Sequence, residues 1–165
     1  MPLRARYDGY ADWYEGWNRP HAERNAAEVR ELLGPGRGLC LDLGCGGGHY
    51  FDVIAATGRT VVGLDYSADQ LRFARNRSRQ IVRGDAAALP FADATFGTVA
   101  TMWISTDVDE SPWWGEFVRK RVGMRHHPLA DLLNAFINTG LAIEHITELG
   151  NRPVPIILGI RARKG

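Results

Sequence analysis

Residues 39–50, LCLDLGCGGGHY, join an acid to a glycine-rich loop. The apolar run that leads into Asp42 predicts a buried strand, and four of the next six residues are glycine. Glycines let the backbone approach a ligand closely, and the start of the helix that follows offers N–H groups. A buried carboxylate repels a phosphate but stabilises a cationic group. Asp42 and its loop therefore predict a ligand that carries both an ammonium and a carboxylate group, such as an amino acid.

Two further acids stand where later strands are expected to end. Asp65 closes TVVGLD, and an acid at that place accepts hydrogen bonds from ribose hydroxyls. Asp85 follows RQIVRG, where its carboxylate can accept from an exocyclic amine such as that of adenine, with the N–H of Ala86 as a donor. Amino acid, ribose and adenine, in chain order, predict S-adenosylmethionine.

Strands alternate with helices along the chain, which predicts one α/β domain with a mainly parallel sheet. Ligands bind such sheets at the carboxyl ends of the strands, near the point where the strand order reverses. Helices are expected at 18–36, 49–58, 67–77 and 127–140, and strands at 38–44, 60–67, 79–86, 96–104, 141–149 and 154–163, the last two joined across Gly150 and Asn151. Asn18 is expected to cap the first helix, and Ser67 with Gln70 has the spacing of a capping box.

Composition excludes several classes of protein. The chain of 165 residues has a formal net charge of +1, so no global field draws it to nucleic acid or to an anionic membrane. No apolar run reaches the length that spans a bilayer, and the N-terminus lacks the apolar core of a signal peptide. The two cysteines, Cys40 and Cys45, favour a reduced, cytoplasmic protein.

Five ordered motifs, YDGYADWY, LDLGCGGG, VVGLDYS, GDAAALPFADATF and VATMW, resemble those of the class I S-adenosylmethionine-dependent methyltransferases, in particular the methyltransferase 11 type. The resemblance implies a Rossmann-like sheet with helices on both faces and an antiparallel C-terminal strand. It implies methyl transfer to a small-molecule acceptor with S-adenosylmethionine as cofactor. It divides the domain 1–165 into a helical lid at 1–34, a cofactor-binding core at 35–110 and a C-terminal part at 111–165.

The resemblance also assigns cofactor-binding residues by position. Asp42, Gly44, Cys45 and Gly46 are expected at the methionine part, Asp65 and Tyr66 at the ribose and adenine, Asp85 and Ala86 at the adenine edge, Met102 near the methyl group, and Tyr14 at the carboxylate. No residue is assigned as catalytic, because the sulfonium is already an activated donor that needs chiefly positioning. His49, His126 and His127 are the titratable candidates if the acceptor must lose a proton.

The chain departs from the family's pattern after the fourth strand. The usual turn and fifth strand are not found, so the last strand is expected to pair directly beside the fourth. Exposed sheet edges favour a homodimer. One alternative is a methyltransferase-like protein that binds cofactor without catalysis. A nicotinamide-dependent oxidoreductase is a further alternative, which Asp42 and the histidine at the third glycine position of the dinucleotide fingerprint oppose.

Two weaker patterns are interpreted structurally. Cys45 and His49 stand four residues apart, but two cysteines and one nearby histidine do not make a zinc site. The basic run from Arg72 to Arg83 is interpreted as a solvated helix face, because aromatic residues are sparse in it. Neither a metal nor a nucleic acid is therefore expected.

Overall fold

The computed structural model describes residues 5–78, 80–102, 129–149 and 157–164. The chain forms two compact units, Met1–Met102 and Trp103–Gly165. The prediction of a single domain over 1–165 stays a prediction.

The first unit is built on a parallel four-stranded sheet. Its strands are β1 (Leu39–Leu43), β2 (Thr60–Asp65), β3 (Ile81–Arg83) and β4 (Thr98–Ala100), in the order β3-β2-β1-β4. β1 pairs with both β2 and β4, in parallel registers that place Asp42 opposite Gly63 on one side and Ala100 on the other. The central strand is buried, as its apolar composition predicts, with Cys40 and Leu41 fully covered.

The strand order reverses between β1 and β4. The chain runs from β1 outward to β2 and β3, then returns across the sheet to β4. A short helix, α3 (Phe51–Ala55), connects β1 to β2, and α4 (Ala68–Ala74) connects β2 to β3. Both crossovers advance in the same direction, so right-handed connections place these two helices on the same face.

The N-terminal segment forms two helices where one was predicted. α1 (Ala11–Arg24) begins seven residues before Asn18, and α2 (Ala26–Leu33) follows it. Asn18 therefore lies inside α1 and does not cap it, and Pro20 also lies inside the helix. Packing explains the earlier start, since the rings of Trp13 and Trp17 stack with centroids 6.1 Å apart along the helix.

The predicted cap of α4 forms, but only half of the capping box does. Ser67 accepts a hydrogen bond from the backbone N–H of Gln70 at 3.2 Å. In a full capping box Ser67 N would also donate to the Gln70 side chain. Here Ser67 N donates to Asp65 Oδ1 at 2.8 Å instead. The amide group of Gln70 is left without a local partner.

The described part of the second unit contains a helix and an antiparallel strand pair. α5 (Leu129–Asn138) precedes β5 (Leu141–Leu149), which pairs with β6 (Ile157–Lys164). All three were predicted, whereas the turn at Gly150 and Asn151 lies outside the described residues. The pairing of the last strand beside the fourth stays a prediction.

The α/β class with a mainly parallel sheet and an antiparallel C-terminal strand is confirmed. No helix in the described ranges is both long enough and apolar enough to cross a bilayer.

Candidate functional site

The candidate site lies at the carboxyl edge of the parallel sheet, where the strand order reverses. β1, β2 and β3 end near this edge at Leu43, Asp65 and Arg83, and the glycine loop follows β1 directly. In sheets of this class the reversal opens a crevice outside the strand ends. The acids predicted from the sequence as ligand-binding residues are brought to this edge by the register of the strands.

Asp42 is buried within the sheet and lacks a counter-charge. Its side chain is 2 % exposed, and its Oδ2 has no hydrogen-bond partner among the described residues. Burial, with a smaller contribution from the nearby charge of Asp65, raises the pKa of Asp42 to about 7. A buried carboxylate without a partner is unfavourable, so this atom fits a cationic or hydrogen-bond-donating ligand group.

The loop that follows Asp42 is folded tightly against the neighbouring strand. Gly44 N and Cys45 N both donate to Leu64 O, at 2.8 and 3.0 Å, and Gly48 N donates to Cys45 O at 2.8 Å. These N–H groups are engaged within the protein, because the loop turns back onto β2.

Left-handed backbone conformations explain two of the loop's glycines. Gly44 and Gly46 have φ angles of 73° and 52°, which side chains with a Cβ rarely adopt. Gly46 N then points at Asp65 and donates to its Oδ2 at 2.8 Å. Asp65 therefore ties the loop to the end of β2.

Asp65 uses both of its carboxylate oxygens for backbone N–H groups. Oδ2 accepts from Gly46 and Oδ1 accepts from Ser67. Burial raises the pKa of Asp65, and these hydrogen bonds oppose the rise. Each carboxylate oxygen keeps a further lone pair, so the group still has capacity to accept from a ligand hydroxyl. Tyr66, the next residue, is 38 % exposed and presents a ring beside it.

The predicted adenine-edge residues lie on an exposed turn. Asp85 Oδ1 accepts from Ala87 N at 2.9 Å, which makes this acid a turn residue as well as a candidate ligand group. Ala86 is also exposed, and Met102, two residues beyond β4, is half-buried. Cys45 is buried in the loop, and burial raises the pKa of its thiol.

Tyr14 lies on α1 in an aromatic cluster. It is buried, and its ring meets that of Tyr7 edge to face with centroids 4.9 Å apart. Burial raises the pKa of Tyr14 well above its usual value, with Tyr7 and Asp65 contributing. Tyr14 therefore stays neutral at physiological pH, and it is close enough to Asp65 to feel the charge of that carboxylate.

A buried polar cluster, which the sequence analysis missed, fixes α1 on the glycine loop. Glu15 Oε1 accepts from Arg77 Nη2 at 2.7 Å, and its Oε2 lies 3.0 Å from His49 Nε2. Arg77 Nη1 also donates to Gly47 O at 2.6 Å. Asn18 Nδ2 lies 3.2 Å from His49 Nδ1. We call Glu15, Asn18, His49 and Arg77 the latch cluster.

The latch cluster buries His49 and occupies its surroundings with polar groups of α1. His49 Nδ1 faces the side-chain amide of Asn18, and Nε2 faces Glu15 Oε2. Burial lowers the pKa of His49, against the opposing effect of Glu15. The side chain is 4 % exposed, so it is a structural group and not an accessible base. No group of three possible metal ligands exists within the described ranges.

The basic run from Arg72 to Arg83 is used inside the first unit. Arg72 contacts both carboxylate oxygens of Asp12, at 3.0 and 3.1 Å, and Arg77 belongs to the latch cluster. Arg83 Nε donates to Tyr66 O at 3.1 Å. Arg72, Arg77 and Arg83 are thus paired within the first unit, and the interpretation of the run as a solvated helix face stays an interpretation. His126 and His127, the other candidate bases, lie outside the described residues.

Part of the chain is similar to a known family. Residues 41–119 match the sequence model of the methyltransferase domain family. This segment begins within β1 and includes the glycine loop and the acids at the ends of β2 and β3.

Curated relatives cover different parts of the chain. A demethylmenaquinone methyltransferase of Corynebacterium kroppenstedtii is 40 % identical over 69 residues, 41 % of this chain and 30 % of the relative. A malonyl-[acyl-carrier protein] O-methyltransferase of Methylococcus capsulatus is 35 % identical over 108 residues, 59 % of this chain and 38 % of the relative. The chain thus spans well under half the length of these relatives.

Solved structures show the same fold. A chain in the Haloferax volcanii complex with the Trm112 methyltransferase activator superposes with a TM-score of 0.69 at 18 % identity, covering 92 % of this chain and 83 % of that one. The TehB-like S-adenosylmethionine-dependent methyltransferase of Corynebacterium glutamicum gives a TM-score of 0.65 at 17 % identity, covering 96 % and 100 %.

Proposed function

We propose that this chain is a methyltransferase that binds S-adenosylmethionine at the carboxyl edge of its parallel sheet and transfers the methyl group to a small-molecule acceptor. The observation that carries the proposal is Asp42, which is buried and unpaired beside the glycine loop. Asp65 and Asp85 stand at the ends of the next two strands. An ammonium, a ribose and an adenine match these three acids in chain order.

The site's residues fit the cofactor by charge and by hydrogen-bonding capacity. Asp42 would hold the ammonium group, and the loop residues Gly44, Cys45 and Gly46 would support the methionine part. Asp65 would accept from the ribose, with Tyr66 against the adenine and Asp85 with Ala86 at its edge. Tyr14 would face the carboxylate, and Met102 would line the methyl group. Bound S-adenosylmethionine would supply an activated methyl group on a sulfonium sulfur.

The residues of this chain would contribute mainly position and exclusion of water. The latch cluster fixes α1 beside the glycine loop, with Glu15 and Asn18 each 5 % exposed. A rigid loop and a covering helix hold reacting groups at a fixed distance, which is an effective source of rate enhancement. His49 is committed to Glu15 and Asn18 and would not serve as the base.

A second candidate function is cofactor binding without catalysis. It is favoured by the absence of an accessible histidine at the edge of the described part of the sheet, and by the departure of the sequence from the family's pattern after β4. A nicotinamide-dependent oxidoreductase is less favoured. His49 occupies the place of the third fingerprint glycine, and a buried carboxylate near a pyrophosphate would be repelled.

The same proposal includes a cytoplasmic location and a possible homodimer. Both cysteines are free, which suits a reducing compartment. The acceptor is expected to be a small molecule, and binding of a nucleic acid is not expected.

Isothermal titration of the purified chain with S-adenosylhomocysteine, with NAD as the control ligand, tests the binding step. We expect saturable binding of the first and none of the second. Transfer of a labelled methyl group to a panel of small nucleophiles then separates an enzyme from a binding protein. Binding of NAD alone, or of neither ligand by the folded chain, would refute the proposal.

A further inference from the structure

Gln70 is a buried polar residue whose side-chain amide makes no hydrogen bond with the described residues. Its side chain is 1 % exposed, and neither Oε1 nor Nε2 has a hydrogen-bond partner among the described residues. A buried primary amide that makes no hydrogen bond costs about 1–3 kcal/mol for each group left unpaired. Buried polar groups are normally hydrogen-bonded, and a bound ligand could supply the missing partner.

The amide is unpaired because Asp65 takes its natural partner. At the third position of α4, a glutamine side chain normally returns to the N–H of the capping residue. Here Ser67 N donates to Asp65 Oδ1 at 2.8 Å, and Ser67 Oγ accepts from Gln70 N. Ser67 Oγ also donates to Asp8 Oδ1 at 2.6 Å, which keeps the capping residue in place. The backbone of Gln70 is therefore fixed while its amide group is free.

The Gln70 amide and the Asp65 carboxylate meet at the same loop residue. A Cβ added to Gly46 would lie 3.6 Å from Gln70 Oε1. Gly46 N donates to Asp65 Oδ2 at 2.8 Å. The two side chains thus both approach Gly46, one from α4 and one from the end of β2.

We propose that Gln70 is a specificity-determining residue that shares recognition of the ribose diol with Asp65. Each hydroxyl of a vicinal diol both donates and accepts, whereas a carboxylate only accepts. Asp65 supplies acceptor atoms, and the Gln70 amide adds the donor that Asp65 lacks together with a second acceptor. This inference rests on the proposed function, because it requires the adenosyl ligand to lie along the carboxyl edge.

The test is titration of the intact chain and its variants with S-adenosylhomocysteine and with its 2′-deoxy and 3′-deoxy analogues. Gln70→Leu removes the amide at similar volume, and Gln70→Glu keeps the acceptors but removes the donor. Gln80→Leu is the matched control, since Gln80 is exposed and only its backbone is bonded. A thermal melt of each variant, with and without ligand, establishes that it is folded.

We expect Gln70→Leu to weaken S-adenosylhomocysteine roughly tenfold or more, as for a lost hydrogen bond at a buried group. At least one deoxy analogue should bind wild type and Gln70→Leu equally, because the hydroxyl that Gln70 contacts is already absent from it. Gln70→Glu should also weaken the parent ligand, and Gln80→Leu should bind like wild type.

Two results would overturn the inference. One is unchanged affinity of Gln70→Leu for S-adenosylhomocysteine. The other is an equal loss for the parent ligand and both analogues, which would mean that Gln70 acts only through the fold. If wild type itself does not bind S-adenosylhomocysteine, the proposed function fails, and that outcome is distinct from the failure of Gln70 alone.

Discussion

At the residue scale, some polar side chains near the carboxyl edge are hydrogen-bonded within the protein, and others are buried with a polar atom that has no partner among the described residues. Asp65 belongs to the first group, because it ties the glycine loop to Ser67, and it keeps capacity to accept from a ligand. Asp42 and Gln70 belong to the second group, since each is buried with an unpaired polar atom. Such residues reduce the stability of the empty protein, and their replacement should show opposite effects on stability and on binding.

Asp42→Asn tests this opposition. The raised pKa of about 7 means that wild type loses stability as the pH rises from about 4 to about 7, because the folded state holds the proton more tightly than the unfolded chain does. The variant has no such group, so its stability relative to wild type should increase over this range, with a slope of at most about 1.4 kcal/mol per pH unit. Urea denaturation at a series of pH values measures the difference.

Asp52→Asn is the control for the Asp42 experiment, since Asp52 is exposed on α3. A constant difference in stability between Asp42→Asn and wild type from pH 4 to pH 8 would contradict the raised pKa. The same variant should bind S-adenosylhomocysteine more weakly above pH 7, because it cannot offer a charge to the ammonium group.

At the element scale, α1 is attached to the glycine loop by the latch cluster and to α4 by an ion pair. The latch cluster joins the middle of α1 to Gly47 and Arg77, and Arg72 of α4 contacts Asp12 of α1 at 3.0 Å. Just before α1, Gly9 N donates to Asp69 Oδ2 at 2.7 Å. Movement of α1 away from the loop therefore breaks several contacts at once.

Glu15→Gln should destabilise the first unit by roughly 1–3 kcal/mol at pH 7, because Arg77 and His49 lose a buried partner. Although burial opposes it, the hydrogen bonds from Arg77 and Arg19 lower the pKa of Glu15 below its ordinary value of 4.5. The stabilisation is therefore present at neutral pH and is lost as the pH falls below about 4.5. Chemical denaturation of the variant at pH 7 and at pH 3.5 measures both.

Glu23→Gln is the matched control for Glu15→Gln, because Glu23 is exposed on the same helix. A loss of stability for Glu15→Gln that is the same at both pH values, or no larger than that of Glu23→Gln, would contradict the role of the latch cluster.

Two glycines should respond oppositely to alanine. A Cβ on Gly63 of β2 would lie 2.5 Å from Phe51 Cζ and 2.9 Å from Cys45 Sγ, so Gly63→Ala should cost roughly 1–3 kcal/mol by overpacking. Gly16 has open space around it in the interior of α1, so Gly16→Ala should stabilise the protein by about 0.5–1 kcal/mol. Thermal denaturation of the two variants measures both changes in stability. If both substitutions stabilised or both destabilised the protein, the packing of α3 on β2 would be misassigned.

At the scale of the whole molecule, the sequence predicted the class of the fold and the strand ends at which the acids stand. Alternation of strands and helices, with acids at the strand ends, sufficed because the carboxyl ends of parallel strands meet at one edge. The start of α1 was missed, since aromatic stacking of Trp13 and Trp17 overrode the cap signal at Asn18. The latch cluster was also missed, because Glu15 and Arg77 are brought together only by the packing of α1 beside α4.

The sheet of the first unit leads to a prediction about assembly. Within this unit β4 pairs with β1, and Val99 on this strand is 56 % exposed. We expect a homodimer in sedimentation equilibrium, with about twice the chain mass of 18.3 kDa, and a shift toward monomer for Val99→Lys. A monomer at all concentrations, or a dimer unaffected by the substitution, would contradict this expectation.

Hydrogen–deuterium exchange of the intact chain with and without saturating S-adenosylhomocysteine tests the location of the site most directly. The account predicts slower exchange in the peptides that cover 42–49, 65–70 and 84–87, because the ligand lies across the ends of β1, β2 and β3. Unchanged exchange in all three, or protection confined to other segments, would contradict the assignment of this edge as the cofactor site.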